Sequence, residues 1–148
     1  MGNDEIAEYL LQHGATRIEL DESERFASAC VAGRRGEALK MLKENPRLIE
    51  QLGELRCNEI VHKAAASGRA GALRLVAKLG FNLNAMVLNR TAMHDAAWAN
   101  RIDTIKLLIE LGADPTSRDG TYHGTPLNWA EYNQQREAAD YLREWTGK

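Results

Sequence analysis

A two-part pattern recurs along most of the chain. Similar segments begin at Glu24, Glu59, Thr91 and Thr125, at spacings of 35, 32 and 34 residues. Each is followed by a second stretch whose apolar residues recur three and four positions apart, which is the period of an amphipathic helix. A single hairpin of this size cannot cover its own apolar face, so neighbouring copies must stack. The sequence therefore predicts an all-α solenoid of helix–turn–helix units, with two columns of antiparallel helices.

Glycine and threonine mark the ends of the predicted helices. Gly33 and Gly68 stand between the two helices of a unit, where a tight turn favours glycine. Thr91 and Thr125 precede a first helix, where a hydroxyl can cap the chain, and Pro126 then suits the first helical position. These residues support the helix–turn–helix interpretation independently of the apolar period.

The composition excludes several functional classes. With 44% hydrophobic and 27% charged residues, the 148-residue chain can bury a continuous core beneath a soluble surface. Its formal net charge of −2 and scattered Lys and Arg argue against a nucleic-acid partner. We find no apolar run of about 18 residues, as a membrane span would need, and no secretory pattern in the first residues. The two cysteines, Cys30 and Cys57, predict a reduced, cytoplasmic setting.

The unit beginning at Thr91 resembles the ankyrin repeat. That family's pattern of Thr-Pro-Leu-His, Ala-Ala, glycine, a leucine-rich helix and Gly-Ala-Asp is matched at Met93, His94, Ala96, Ala97, Leu107, Leu108, Gly112, Ala113 and Asp114. The other units keep parts of the pattern, such as His62 in the second, but Asn128 and Ala27 replace the histidine in the fourth and first. The resemblance covers nearly the whole chain, and it implies an ankyrin repeat solenoid with projecting hairpin loops and a concave inner face.

The register predicts one ankyrin repeat domain over residues 1–148. Its expected parts are a half repeat or N-terminal capping helix at 4–20, repeats at 21–55, 56–88 and 89–121, and a C-terminal capping repeat at 122–148. Two explanations of the first part stay open: excision from a longer repeat protein, or a native capping helix. The polar residues of the last unit suit a capping role and favour a native C-terminus near Lys148.

The resemblance also implies which side chains face a partner. In this family they lie at the hairpin tips and just before the glycine that ends the first helix. By register, the candidate partner-binding residues are Trp98, Tyr132, Tyr122, Arg90, Arg118, Met86, His123 and Asn133. Aromatic residues and Arg are the types in which binding energy concentrates. For Trp98, simple packing across the neighbouring repeat remains the alternative, and for Trp129 the register favours the core.

The remaining reactive residue types have structural explanations. The resemblance implies that His62 and His94, with Thr91 and Thr125, form hydrogen bonds between hairpin backbones rather than acting in catalysis. The four histidines lack the close spacing of metal ligands, so neither a metal nor a cofactor is expected. Cys57 is predicted to lie in a loop beside Arg56, where a cation favours a reactive thiolate, but no general base accompanies it.

The resemblance implies a non-catalytic module that binds a partner protein through its concave face and hairpin loops. We expect a cytoplasmic monomer, with no nucleic-acid or membrane partner. The segment ACVAGRRGEALKMLKENPRLI resembles the divergent repeats of bacterial ankyrin proteins. The alternative is a regulatory or scaffolding segment of a larger bacterial enzyme or transcription regulator, which the predicted half repeat supports.

Overall fold

The computed structural model describes residues 21–147, and the expected half repeat or cap at 4–20 lies outside this range. Every regular element in the described residues is a helix. The helices are α1 (Glu22–Ala32), α2 (Arg35–Glu44), α3 (Leu48–Leu52), α4 (Glu54–Ala66), α5 (Ala70–Lys78), α6 (Ala92–Trp98), α7 (Ile102–Glu110), α8 (Pro126–Tyr132) and α9 (Arg136–Thr146).

Eight of these helices form four stacked pairs. The first helices α1, α4, α6 and α8 contact one another in sequence, and the second helices α2, α5, α7 and α9 form a parallel column behind them. The first column is built around paired small residues that are buried, including Ala64, Ala65, Ala96 and Ala97. Small side chains let neighbouring helices approach closely, and the predicted all-α solenoid is confirmed.

The turn between the two helices of a pair requires a left-handed backbone. Gly33 and Gly68 have φ of 72° and 69°, and Asn100 and Gln134 take the same place in the last two pairs, each with φ of 57°. Gly33 is restricted further because an added Cβ would lie 3.1 Å from the backbone nitrogen of Ala72. Only glycine meets both conditions at that position without strain.

Side chains link the end of each first helix to the next pair. In three successive pairs, the carbonyl oxygen near the end of the first helix accepts a hydrogen bond from a side chain one pair later. The donors and acceptors are Arg69 Nη1 and Ala32 O at 3.3 Å, Arg101 Nη1 and Ala66 O, and Asn133 Nδ2 and Trp98 O at 2.8 Å. These bonds satisfy carbonyl groups that a helix end leaves without an internal partner.

The segment between α2 and α4 departs from the sequence-based expectation. It contains α3, which packs on α1 and α4 and fully buries the side chain of Leu48. Gly53, with φ of 80°, separates α3 from α4. This short helix is too brief to show an apolar period of its own, and tertiary burial stabilises it instead.

The prediction that Cys57 lies in a loop is wrong. Cys57 belongs to α4 and is half-buried, with its Sγ 3.8 Å from the carbonyl oxygen of Ile49. Burial raises the pKa of this thiol, which opposes thiolate formation. The guanidinium of Arg56 forms ion pairs with Glu24 and Glu59 at 2.8 and 2.9 Å. The cation is therefore held by carboxylates, and the structure gives no support for a reactive thiol here.

Candidate partner-binding groove

Two exposed aromatic side chains meet at the junction of the last two helix pairs. Trp98 ends α6 and Tyr132 ends α8, so the repeat places them at equivalent positions on neighbouring first helices. Their rings are nearly parallel, with centroids 6.1 Å apart and an interplanar angle of 23°. Trp98 is 42% exposed and Tyr132 is 82% exposed. The pair thus presents apolar surface to solvent.

A groove of about 720 Å³ opens beside this pair. Its walls include four aromatic side chains, and its polar lining comes from a few charged or amide groups. The principal lining side chains are Trp98, Tyr122, Trp129, Tyr132, Arg90, Asp95, His123 and Asn128. This combination of apolar wall and few polar groups is typical of protein sites that bind a ligand.

Trp129 supports the exposed pair from behind. Its ring meets that of Trp98 edge to face, with centroids 5.8 Å apart, and that of His94 at 5.2 Å. The sequence favoured a core position for Trp129, whereas the structure leaves it half-buried and places it in the groove wall. Edge-to-face contacts of this kind hold Trp98 in one orientation.

Asp119 organises the loop that carries Tyr122 and His123. Its buried carboxylate accepts four hydrogen bonds, from the backbone N–H groups of Thr121, Tyr122 and Gly124 and from the indole N–H of Trp129, at 2.6 to 3.0 Å. Burial acts to raise the pKa of this carboxyl, but the hydrogen bonds outweigh it and hold the pKa well below the usual value. Asp119 is not among the candidate residues identified from the sequence, because its contact with Trp129 depends on how the loop folds.

His94 fixes the backbone beneath the groove. Its Nδ1 accepts a hydrogen bond from the backbone N–H of Thr91 at 3.2 Å, so the proton lies on Nε2, which donates to the carbonyl of Gly124 at 2.9 Å. The side chain is fully buried, and burial lowers the pKa of the ring, which favours this neutral form. His94 therefore connects the start of α6 to the loop before α8.

The fourth pair uses a different side chain at the histidine position. Thr125 caps α8 by accepting a hydrogen bond from the backbone N–H of Asn128 at 3.3 Å. The Oδ1 of Asn128 accepts in return from the N–H of Thr125 at 2.9 Å. This reciprocal arrangement is a capping box, and it satisfies two donors that the helix start leaves open.

A cluster of three charged or ionisable side chains borders the groove. The carboxylate of Asp95 accepts from Arg90 Nε through Oδ1, and its Oδ2 lies 3.3 Å from His62 Nδ1. The other ring nitrogen of His62 lies 3.0 Å from the carbonyl oxygen of Ala85. Burial acts to raise the pKa of Asp95, but its bonds to His62 and Arg90 bring the pKa below the usual value. The carboxylate therefore holds Arg90 in place beside the aromatic wall.

Five of the eight candidate partner-binding side chains line the groove, namely Trp98, Tyr132, Tyr122, Arg90 and His123. The other three lie elsewhere. Met86 is 45% exposed in the loop before α6, whereas the side chains of Arg118 and Asn133 bond to the backbone carbonyls of His123 and Trp98. Arg118 thus supports the loop that presents His123, and Asn133 joins the two helix pairs.

Neither a metal site nor a membrane span is evident in residues 21–147. No group of three or more His, Cys, Asp or Glu side chains in this range is placed to hold a metal ion. None of its helices is long and apolar enough to cross a bilayer.

Stacked helix pairs, each in contact with the next pair along the chain, define the class of helical repeat proteins. A family model described as ankyrin repeats, in three copies, matches residues 26–119, which is more than half of the chain. The chain belongs to the ankyrin repeat family. The match ends before α8, although α8 and α9 continue the same stack. A search of curated proteins found no match. Ankyrin repeats are generally protein-interaction modules.

Proposed function

We propose that this chain is a non-catalytic protein-interaction module whose groove binds a linear segment of a partner protein. The observation that carries this proposal is the set of exposed aromatic side chains, Trp98, Tyr122 and Tyr132, gathered on one groove. Trp and Tyr are enriched among residues whose truncation costs about 2 kcal/mol or more of binding free energy. The net charge of −2 supports a protein rather than a nucleic-acid partner, and we propose a cytoplasmic monomer.

The groove is supported before any ligand arrives. Trp98 packs against Trp129, and the backbone of Tyr122 is held by the Asp119 carboxylate. Side chains that are already ordered lose little conformational freedom on binding, so more of the contact energy contributes to affinity. A peptide in an extended conformation fits an open groove of this kind because it exposes alternate side chains and its backbone groups together.

The test is a binding measurement with peptides selected on the whole chain. A library of random 12-residue peptides would be panned against the immobilised protein, and affinities of enriched peptides measured by fluorescence anisotropy. Tyr132→Ala should weaken binding by about tenfold or more, since the ring contributes contact area in the groove. Its melting temperature should change little, because Tyr132 is 82% exposed.

Leu55→Ala is the matched control, since Leu55 is also 82% exposed but lies on α4, outside the groove-lining residues. This variant should bind the enriched peptides as the unmodified protein does. If Tyr132→Ala and Trp98→Ala both retained full affinity while folded, the groove would not be the binding site.

A further inference from the structure

Arg90 has N–H donors without a partner among the described residues, and it lines the groove together with Trp98, Trp129 and Tyr132. Its Nε donates to Asp95, whereas its two terminal nitrogens have no hydrogen-bond partner within residues 21–147. The side chain is 34% exposed and lines the groove. Two parallel N–H groups of a guanidinium match the two oxygens of a carboxylate, which makes this arrangement a receptor for an acidic group.

The surrounding side chains leave these donors open. Both oxygens of Asp95 are engaged, Oδ1 by the Nε of Arg90 and Oδ2 by the Nδ1 of His62 at 3.3 Å. The other ring nitrogen of His62 lies 3.0 Å from the carbonyl oxygen of Ala85. Asp95 therefore holds the guanidinium through Nε, and its terminal N–H groups remain directed to the groove that Arg90 lines.

We propose that the groove binds an acidic linear peptide in which an Asp or Glu carboxylate accepts two hydrogen bonds from Arg90. A neighbouring aromatic or proline side chain of the same peptide packs against Trp98 and Tyr132. This inference rests on the proposed function and adds the chemistry of the partner. A cationic side chain is disfavoured because Arg90 repels it, and the two terminal N–H donors of one guanidinium match the two oxygens of one carboxylate.

The test is a double-mutant cycle between Arg90 and the acidic residue of an enriched peptide. Arg90→Gln should weaken binding of the parent peptide about tenfold or more, but leave binding of the Asp→Asn or Glu→Gln peptide unchanged. Arg90→Lys keeps a cation beside Asp95 but lacks the paired donors, so it should also lose affinity. The control is Arg74→Gln, which makes the same charge change on α5, where Arg74 pairs with Glu110.

Each outcome decides the matter. Additive effects of Arg90→Gln and the neutral peptide overturn the acidic-peptide inference, whereas the proposed function stands if Tyr132→Ala still weakens binding. If neither Tyr132→Ala nor Arg90→Gln loses affinity for the peptide, both the proposed function and the acidic-peptide inference are wrong. If a phosphoserine in place of the acidic residue binds more than tenfold tighter than the parent, the site is one for phosphate and the carboxylate assignment is wrong.

Discussion

Gly33 and Gly36 lie three residues apart, but a side chain would be crowded at Gly33 and would have free space at Gly36. Gly33 has a left-handed backbone, and a Cβ added there would crowd the backbone of Ala72 near the start of α5. Gly36 lies in the first turn of α2, and an added Cβ there meets nothing within 4 Å. The same chemical change therefore tests strain at one position and helix propensity at the other.

Gly33→Ala should lower the free energy of unfolding by at least about 1–2 kcal/mol, because a left-handed alanine is strained and its Cβ crowds Ala72. Gly36→Ala should raise it by about 0.4–1 kcal/mol, because the unfolded chain loses freedom. Urea denaturation of both variants measures the difference. Equal effects at the two sites would mean that the turn relaxes to accept a side chain.

Asp119→Asn should lower the free energy of unfolding by about 2–3 kcal/mol at neutral pH. The substitution replaces one acceptor oxygen by an NH2 group, which cannot accept the hydrogen bonds that N–H groups now donate to the carboxylate. The folded pKa of Asp119 is lowered, so its contribution is complete above the unfolded value of about 3.9 and is lost as the pH falls further. The stability gap between the two proteins should therefore be constant near neutrality and narrow below pH of about 4.

Denaturant titrations at a series of pH values measure this gap. Asp103→Asn serves as the control, since Asp103 is exposed in the first turn of α7 and should matter by less than about 1 kcal/mol. A gap that persists unchanged in acid would show that the carboxylate charge is not what orders the loop.

At the scale of the helices, α3 shows a case in which burial rather than local preference creates an element. The paired helices could be predicted because their apolar period recurs four times along the chain. A five-residue helix offers no such period, and only the contact of Leu48 with the hydrophobic core identifies it. The repeat register also predicted that Trp98 and Tyr132 occupy equivalent positions. It could not predict the hydrogen bond from Trp129 to Asp119, because that bond joins a helix to a loop outside the repeated pattern.

Leu48→Ala should cost about 2–5 kcal/mol of unfolding free energy, because the side chain is fully buried and its removal leaves a cavity. Leu55→Ala makes the identical change seven residues later on an 82% exposed side chain, and we expect a cost below about 0.5 kcal/mol. Chemical denaturation monitored by circular dichroism compares them. Similar losses for the two variants would indicate that α3 contributes no packing of its own.

At the scale of the whole stack formed by residues 21–147, each helix pair contacts its immediate neighbours, so stability is distributed over the junctions between pairs. The groove lies at the last of these junctions, with Trp98 on one side and Tyr132 on the other. The family-level architecture could be predicted from the repeats alone. The details of the groove depend on loop hydrogen bonds between residues that no period relates, such as those that the Asp119 carboxylate accepts from Gly124 and Trp129.

The hydrogen bond from Asn133 to the carbonyl of Trp98 links a backbone group of the groove to the last helix pair. A second bond, from the backbone N–H of Ala138 to the side chain of Asn100, spans the same junction. Separation of the pair α8–α9 from the pair α6–α7 would therefore break these two hydrogen bonds and also separate the ring of Tyr132 from that of Trp98. If the groove binds a ligand as proposed, a ligand in contact with both Trp98 and Tyr132 should hold the two helix pairs together and so reduce their separation at this junction.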